Sequence, residues 1–163
     1  LRMGLTISQA NNTYIYFEKT FSRDGYAIDC DFITKTIMEN PYVLMEVKGI
    51  GFRIADTIGL RNGIALDNEN RIRKGVIAYF NEESNKTGNV LFNAKDMAKE
   101  IAIALFLGDK KKEEKTYSKI PDPMRSKFIS IIDEMFKEKE EIHYLEPKIK
   151  TVGEYMKFHS ILK

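Results

Sequence analysis

The run Lys48-Gly49-Ile50-Gly51-Phe52-Arg53 has the residue types and the spacing that can hold an anion. Glycine permits positive φ and the close approach of another backbone, so the glycines on either side of Ile50 predict a tight turn. A helix that begins near Phe52 presents unsatisfied N–H groups at the positive end of its dipole, a favourable place for phosphate. Lys48 and Arg53 add a positive charge on each side. The run therefore predicts a phosphate site made of main-chain amides and two cations.

Apolar residues on both sides of this run predict two short helices that position it. Leu44 and Val47 lie three residues apart before the turn, and Ala55 and Ile58 lie three apart after it. This spacing places each pair on one face of a helix. We expect the two helices to pack together and the side chain of Ile50 to fill the gap between them.

The same spacing occurs near the beginning of the chain. Gly4-Leu5-Thr6-Ile7-Ser8-Gln9-Ala10 aligns with Gly49-Ile50-Gly51-Phe52-Arg53-Ile54-Ala55, and Thr6 stands in place of the second glycine. We expect a degenerate copy of the turn, with Gly4 and Thr6 as candidates for a secondary phosphate site. Because a complete copy needs a helix before Gly4, we also expect the chain to be a piece of a longer protein.

Helical periodicity predicts that the chain is mainly α-helical. Asparagine is a favourable N-cap and proline fits the first helical position, so Asn40-Pro41 marks one helix start. The apolar spacing predicts helices at 8–19, 29–38, 41–47, 52–61, 70–84, 94–107, 124–138 and 147–162.

Short apolar runs at 89–92 and 142–145 predict two β-strands that pair with each other. Helix, strand, helix, helix, strand is the order of a winged helix. We therefore predict tandem hairpins in a first domain and a small winged-helix-like unit with short strands in a second, followed by a C-terminal helix. The corresponding ranges are 1–66, 67–146 and 147–163.

Composition restricts the kind of protein. The 163 residues are 43% hydrophobic and 31% charged, which is typical of a soluble globular protein with its own core. Because 26 basic residues are nearly balanced by 24 acidic ones, any basic site must be local. One cysteine and two histidines have no metal-ligand spacing, which predicts no metal site, a reducing setting and a buried, inert Cys30. The chain has no apolar run of about 18 residues and no signal pattern, which predicts a cytoplasmic location without a membrane partner.

Two further clusters have both a structural and a binding interpretation. Tyr14-Ile15-Tyr16-Phe17 could stack nucleic-acid bases, but aromatic residues at helical spacing are more often core residues, and we favour that interpretation. Arg71, Arg73 and Lys74 lie at a helix start, where cations oppose the dipole. They indicate either an external anion or simple solvation.

The order of these motifs resembles a known family, the RecD-like helicases of the RecD/TraA family, in their helix-hairpin-helix region. The resemblance covers about residues 1–106 and, more weakly, Ile142-His143-Tyr144-Leu145 followed by Glu154. The chain departs from the family at Asn89, where histidine is usual. The matching residues are Asn40-Pro41-Tyr42, Gly49-Ile50-Gly51-Phe52, Ala55-Asp56, Gly63-Ile64, Arg71-Ile72-Arg73, Gly75, Asn81-Glu82 and Gly88.

The resemblance implies that the parent protein is a superfamily 1 ATP-dependent DNA helicase of DNA repair or recombination. In that family this region precedes the motor domain and helps to engage DNA, so the implied partners are DNA, as a single strand or a fork, and the motor domain. ATP and Mg²⁺ would belong to the motor, and the hairpin carbonyls could hold a monovalent cation that bridges to phosphate. No G-x-x-x-x-G-K-[ST] phosphate loop occurs in the 163 residues, so no cofactor is expected in this chain.

Three functions remain open. The first is a non-catalytic, sequence-independent DNA-binding module that uses Lys48, Gly49, Ile50, Gly51, Phe52 and Arg53, with Gly4, Thr6, Arg71, Arg73 and Lys74 as secondary contacts. The second is a structural or protein-interaction linker that positions the motor and makes no DNA contact. The third, a fragment of a repair nuclease or ligase, fits the Asn-Pro-Tyr and Arg-Ile-Arg motifs less well. No catalytic residues are predicted, because the sequence has no paired carboxylates in an apolar run and no histidine at recognisable spacing from a nucleophile.

Overall fold

The computed structural model describes residues 3–22, 28–87, 94–108 and 115–137. These residues form α-helices and two 3₁₀ helices and contain no β-strand, so the prediction of a mainly α-helical chain is confirmed. The predicted strands at 89–92 and 142–145 and the predicted helix at 147–162 lie outside the described residues, and the winged helix stays a prediction. The α-helices are α1 (Ile7–Phe21), α2 (Cys30–Glu39), α3 (Phe52–Arg61), α4 (Glu69–Thr87), α5 (Ala94–Leu107) and α6 (Asp122–Lys137), and the 3₁₀ helices are Pro41–Glu46 and Tyr117–Lys119.

The chain divides into two units. The first, Leu1–Ala65, contains both candidate turns together with α1, α2, the first 3₁₀ helix and α3, and we call it the hairpin unit. The second, Leu66–Lys163, contains α4, α5 and α6, and we call it the helical unit.

The core of the hairpin unit takes side chains from each of its helices and from the turn that precedes α3. Ile50 is only 4% exposed and belongs to this core, as its position between two helical patterns predicts. Burial of one such side chain stabilises the fold by about 1.5–3 kcal/mol, so the turn is fixed to the core through Ile50. The other buried members are Phe17, Ile33, Ile37, Tyr42, Leu44, Val47, Ala55 and Ile58.

The segment before the turn is a 3₁₀ helix, Pro41–Glu46, whereas the sequence predicts an ordinary helix over 41–47. Its start is as predicted, because the side chain of Asn40 accepts a hydrogen bond from the N–H of Tyr42 at 3.2 Å and proline occupies the first position. At its end, the N–H of Val47 donates to the carbonyl of Leu44 at 3.0 Å. Such bonds between residues three apart tighten a short helix, and here they lead the chain directly into the turn.

Cys30 is exposed, so the prediction that it is buried is wrong. It is the first residue of α2, and this helix buries Ile33 and Ile37 farther along. Position in the helix, not residue type, decides the exposure of this thiol. The aromatic cluster of α1 agrees with the core interpretation, because Phe17 is fully buried and Tyr14 packs against the same core.

The helical unit has a core of its own, made where α4 packs against α5 and α6. Ile72 of α4, Ile101 of α5 and Phe128 of α6 are almost completely buried. The ring of Phe128 meets the ring of Phe106 edge to face, with 6.0 Å between centroids, a favourable aromatic geometry. No helix in the described ranges is long and apolar enough to cross a membrane.

Candidate nucleic-acid interface

Residues 48–51, which we call the second hairpin, join the first 3₁₀ helix to α3. Gly49 has a φ of +86°, a left-handed conformation that residues with a side chain rarely adopt. Gly51 has φ −102° and ψ 179°, an extended conformation open to any residue. A Cβ added at either glycine would meet nothing within 4 Å. The backbone therefore requires glycine at 49, whereas at 51 glycine leaves open space beside the start of α3.

The start of α3 has no side-chain cap, because its N-cap residue is Gly51. The Gly51 carbonyl accepts hydrogen bonds from the N–H groups of Ile54 at 3.1 Å and Ala55 at 3.2 Å, which begins the helix. The N–H groups of Gly51 and Phe52 donate to no acceptor within the part of the chain that the structure describes. Since these amides lie at the positive end of the helix dipole, they are placed to donate to an external anion.

Exposed cations flank this uncapped helix start. Lys48 precedes Gly49 and Arg53 lies in the first turn of α3, and both side chains are exposed. Phe52, between them, is half-buried, and its ring stacks on that of Tyr42 with 5.9 Å between centroids and 12° between planes. The ring of Phe52 thus packs the start of α3 against the 3₁₀ helix, while Lys48, Gly51 and Arg53 around it are exposed.

A buried polar contact supports this packing. The hydroxyl of Tyr42 donates to Oδ1 of Asp56 at 2.9 Å, and both residues are buried. A buried carboxylate is costly unless it accepts hydrogen bonds, so this contact links the 3₁₀ helix to α3 specifically. Tyr42 therefore holds α3, the helix that follows the second hairpin, through its ring and through its hydroxyl.

The predicted copy at residues 4–6, which we call the first hairpin, has the same backbone conformation at the aligned positions. Gly4 has a φ of +78°, close to that of Gly49. Thr6 is the N-cap of α1 in an extended conformation, as Gly51 is for α3. The helices begin at aligned residues, Ile7 and Phe52. The backbone therefore supports the repeat that the sequence predicts.

The first hairpin closes its own helix start. Oγ1 of Thr6 accepts a hydrogen bond from the N–H of Gln9 at 3.3 Å, and Oε1 of Gln9 accepts one from the N–H of Thr6 at 3.0 Å. This is a capping box, which satisfies two amides that an uncapped helix would leave open. One cation lies nearby, because a Cβ added to Gly4 would lie 3.0 Å from Nη1 of Arg61. Gly4 and Thr6 thus share the backbone of the second hairpin, but the N–H of Thr6, unlike that of the aligned Gly51, donates to an acceptor within the fold.

Two side-chain amides of α1 bind carbonyls of the second hairpin. Nε2 of Gln9 donates to the carbonyl of Gly49 at 3.1 Å, and Nδ2 of Asn12 donates to the carbonyl of Lys48 at 3.0 Å. Sequence analysis missed both contacts, because the partners lie 40 and 36 residues apart and no motif marks them. The sequence signal for these contacts is limited to two side-chain amides, Gln9 and Asn12, whose spacing of three residues puts them on the same face of α1.

The cations at the start of α4 lie in different surroundings. Arg71 is 2% exposed, and its guanidinium donates to the carbonyls of Leu66 at 2.8 Å and Leu105 at 2.7 Å. Burial of a guanidinium is tolerated when main-chain carbonyls accept its hydrogen bonds. In this fold Arg71 therefore ties the segment before α4 to the end of α5 and is not presented to solvent.

Arg73 and Lys74 are half-buried. The guanidinium of Arg73 pairs with Glu69 at 2.9 Å and with Glu134 of α6 at 3.3 Å. These pairs compete with any phosphate for the same donors, so they favour a packing role for Arg73. Arg71, Arg73 and Lys74 all belong to the helical unit.

Comparison with known families finds a match to the part of the chain that contains the second hairpin. Residues 26–91 match the family described as the ATP-dependent RecD2 DNA helicase HHH domain. The resemblance to RecD-like helicases is confirmed. The RecD2-type region includes the second hairpin, α3 and α4, and it excludes the first hairpin at 4–6. No curated protein and no solved structure is significantly similar to the chain.

Proposed function

We propose that the chain is a non-catalytic, sequence-independent DNA-binding module of a RecD-like helicase, and that residues 48–53 bind the phosphate backbone. The supporting observation is the exposed, uncapped start of α3 between two cations, within the region that matches the RecD2 helicase HHH domain. The N–H groups of Gly51 and Phe52 would donate to a phosphate oxygen, and Lys48 and Arg53 would add charge. Contacts to phosphate position DNA without reading its bases.

The surroundings of the turn favour backbone binding over base recognition. The ring of Phe52, directly after the second hairpin, stacks on the ring of Tyr42 and is therefore already engaged within the fold. In this proposal a single strand or a fork is bound at residues 48–53. Catalysis belongs to the motor domain of the parent protein, which would bind ATP and Mg²⁺. The sequence of this chain contains no phosphate loop for that step.

Binding of fluorescent DNA tests the proposal. The 163-residue chain and its variant Lys48→Glu/Arg53→Glu are titrated into a labelled single strand and a labelled forked duplex, and anisotropy is measured at several salt concentrations. Each phosphate contact contributes about −0.7 to −0.9 to the slope of log affinity against log salt, so two contacts weaken wild-type binding about tenfold between 50 and 200 mM salt. We expect the variant to bind more weakly and with a shallower slope.

A second double variant, Lys19→Glu/Lys35→Glu, is the matched control, because it makes the same change in charge at exposed positions of α1 and α2. Lys19 lies about 10 Å farther along α1 than Asn12, at a rise of about 1.5 Å per residue. Equal losses in the two double variants would mean that net charge alone explains binding. Wild-type affinity that does not change with salt would contradict phosphate binding.

The alternative function, a structural or protein-interaction linker without DNA contact, is supported by the first hairpin. Its helix start is capped by Thr6 and Gln9, so the N–H of Thr6 is already engaged within the fold and is not available to an anion. If Lys48→Glu/Arg53→Glu binds DNA as well as the wild-type chain does, the linker function is favoured for the second hairpin as well.

A further inference from the structure

The carbonyls of the second hairpin are hydrogen-bonded from inside the hairpin unit. The Lys48 carbonyl accepts from Nδ2 of Asn12 at 3.0 Å, and the Gly49 carbonyl accepts from Nε2 of Gln9 at 3.1 Å. Gln9 and Asn12 lie three residues apart on one face of α1, so one helix holds two consecutive peptide units.

The orientation of the Gln9 amide is determined by its two partners. Its oxygen faces the N–H of Thr6, at 3.0 Å, and its nitrogen faces the Gly49 carbonyl. Only the oxygen of a side-chain amide accepts a hydrogen bond and only its nitrogen donates one, so the reverse orientation would lose both contacts. Gln9 therefore joins the cap of the first hairpin to the backbone of the second.

Holding a carbonyl also directs the amide of the same peptide unit. In a trans peptide the C=O and the N–H point in opposite directions. Asn12 holds the carbonyl of Lys48, so the N–H of Gly49 points away from α1. The neighbouring unit is held at both ends, because Gln9 binds the Gly49 carbonyl and the N–H of Ile50 donates to the Val47 carbonyl at 3.0 Å.

We propose that Gln9 and Asn12 are positioning residues that hold the second hairpin in its phosphate-binding conformation. This inference rests on the proposed DNA-binding function. The first helix, which lies outside the RecD2-type region, becomes a functional support for that region.

The first test replaces the donors. Gln9→Glu and Asn12→Asp each put a carboxylate oxygen against a carbonyl oxygen, while glutamate at 9 keeps the acceptor that the Thr6 capping box needs. Asn11→Asp, at the exposed neighbouring position of α1, makes the same change in charge and serves as the control. We expect each donor variant to bind DNA about tenfold more weakly than the control, in line with the loss of one hydrogen bond.

Amide hydrogen exchange separates positioning from general stability. The N–H of Ile50 is expected to exchange about tenfold faster in Gln9→Glu and Asn12→Asp than in Asn11→Asp, while amides of α2 exchange at unchanged rates. Equal acceleration in α2 would mean that the variants only destabilise the unit, and it would overturn the inference. Unchanged Ile50 exchange and unchanged DNA affinity in both donor variants would also overturn it, and the proposed function would stand. If the wild-type chain binds no DNA but Ile50 responds, the proposed function fails and the support from α1 stands.

Discussion

At aligned positions, the two hairpins of this chain have closely similar backbones and different side chains. Gly4 and Gly49 both have positive φ, and Thr6 and Gly51 are both N-caps of the helices that follow. In the first hairpin the side chains of Thr6 and Gln9 each accept the N–H of the other residue. In the second, Gly51 supplies no side-chain cap, its own N–H has no acceptor among the described residues, and open space lies beside it.

This difference shows how a repeated turn can acquire two roles. A capping box stabilises its own helix and occupies the N–H of the N-cap residue, one of the donors that an anion would use. A glycine N-cap forms no such box and keeps that donor available. The first hairpin then supports the second, because Gln9 extends from the capping box to the Gly49 carbonyl.

The largest expected effect concerns the apolar residue of each hairpin. Ile50 is buried, whereas the aligned Leu5 is only partly buried. Ile50→Ala should lower the free energy of unfolding by about 2–5 kcal/mol, because it leaves a cavity in a packed core. Leu5→Ala should cost less than half as much. Chemical denaturation followed by circular dichroism measures both, and equal losses would contradict the view that the second hairpin is the better packed of the two.

An intermediate effect is expected from the glycines. Gly49→Ala and Gly4→Ala should each cost about 1–2 kcal/mol of stability, because each forces a side chain into the left-handed region. Gly51→Ala, in extended backbone with open space around it, avoids that strain but replaces an N-cap glycine by a poorer N-cap residue, and should cost about 0.5–1 kcal/mol. It should nevertheless weaken DNA binding, since its methyl group stands beside the open amides. Unchanged DNA affinity in Gly51→Ala would place the phosphate elsewhere.

The smallest effect is expected when the caps are exchanged. Thr6→Gly removes a side-chain cap and should cost a few tenths of a kcal/mol, about 0.5 at most, while Gly51→Thr adds a cap to α3 and should leave stability equal or slightly higher. Gly51→Thr should also lower DNA affinity, because its side chain fills the open space beside the N–H groups of Gly51 and Phe52. Thermal unfolding and DNA titration of the two variants measure these changes. Stronger DNA binding by Gly51→Thr would reverse the assignment of roles.

Much of the site was predictable because it depends on neighbouring residues. A glycine that needs positive φ, an apolar residue between two helical patterns and an asparagine before proline act over three or four positions. Those signals predicted the turn, the burial of Ile50 and the start of α3 near Phe52. The local sequence pattern did not predict that Pro41–Glu46 is a 3₁₀ helix or that Cys30 is exposed. Each outcome depends on how the end of a helix lies relative to the core.

Arg71 and Arg73 show the same limit in the helical unit. In sequence they form one basic cluster with Lys74 at a helix start. In the fold Arg71 donates to two carbonyls in the interior and Arg73 pairs with two glutamates. Burial and pairing depend on α5 and α6, which lie far along the chain, so residue type alone could not separate packing from phosphate binding.

The sequence by itself determined the conformations that short-range sterics and capping control, namely the two turns, their alignment as a repeat and most of the helices. Only the tertiary structure decided how the second hairpin is held. The physical reason is distance along the chain. The donors of Gln9 and Asn12 meet carbonyls 40 and 36 residues away, and only the packing of α1 in the hairpin unit brings them together.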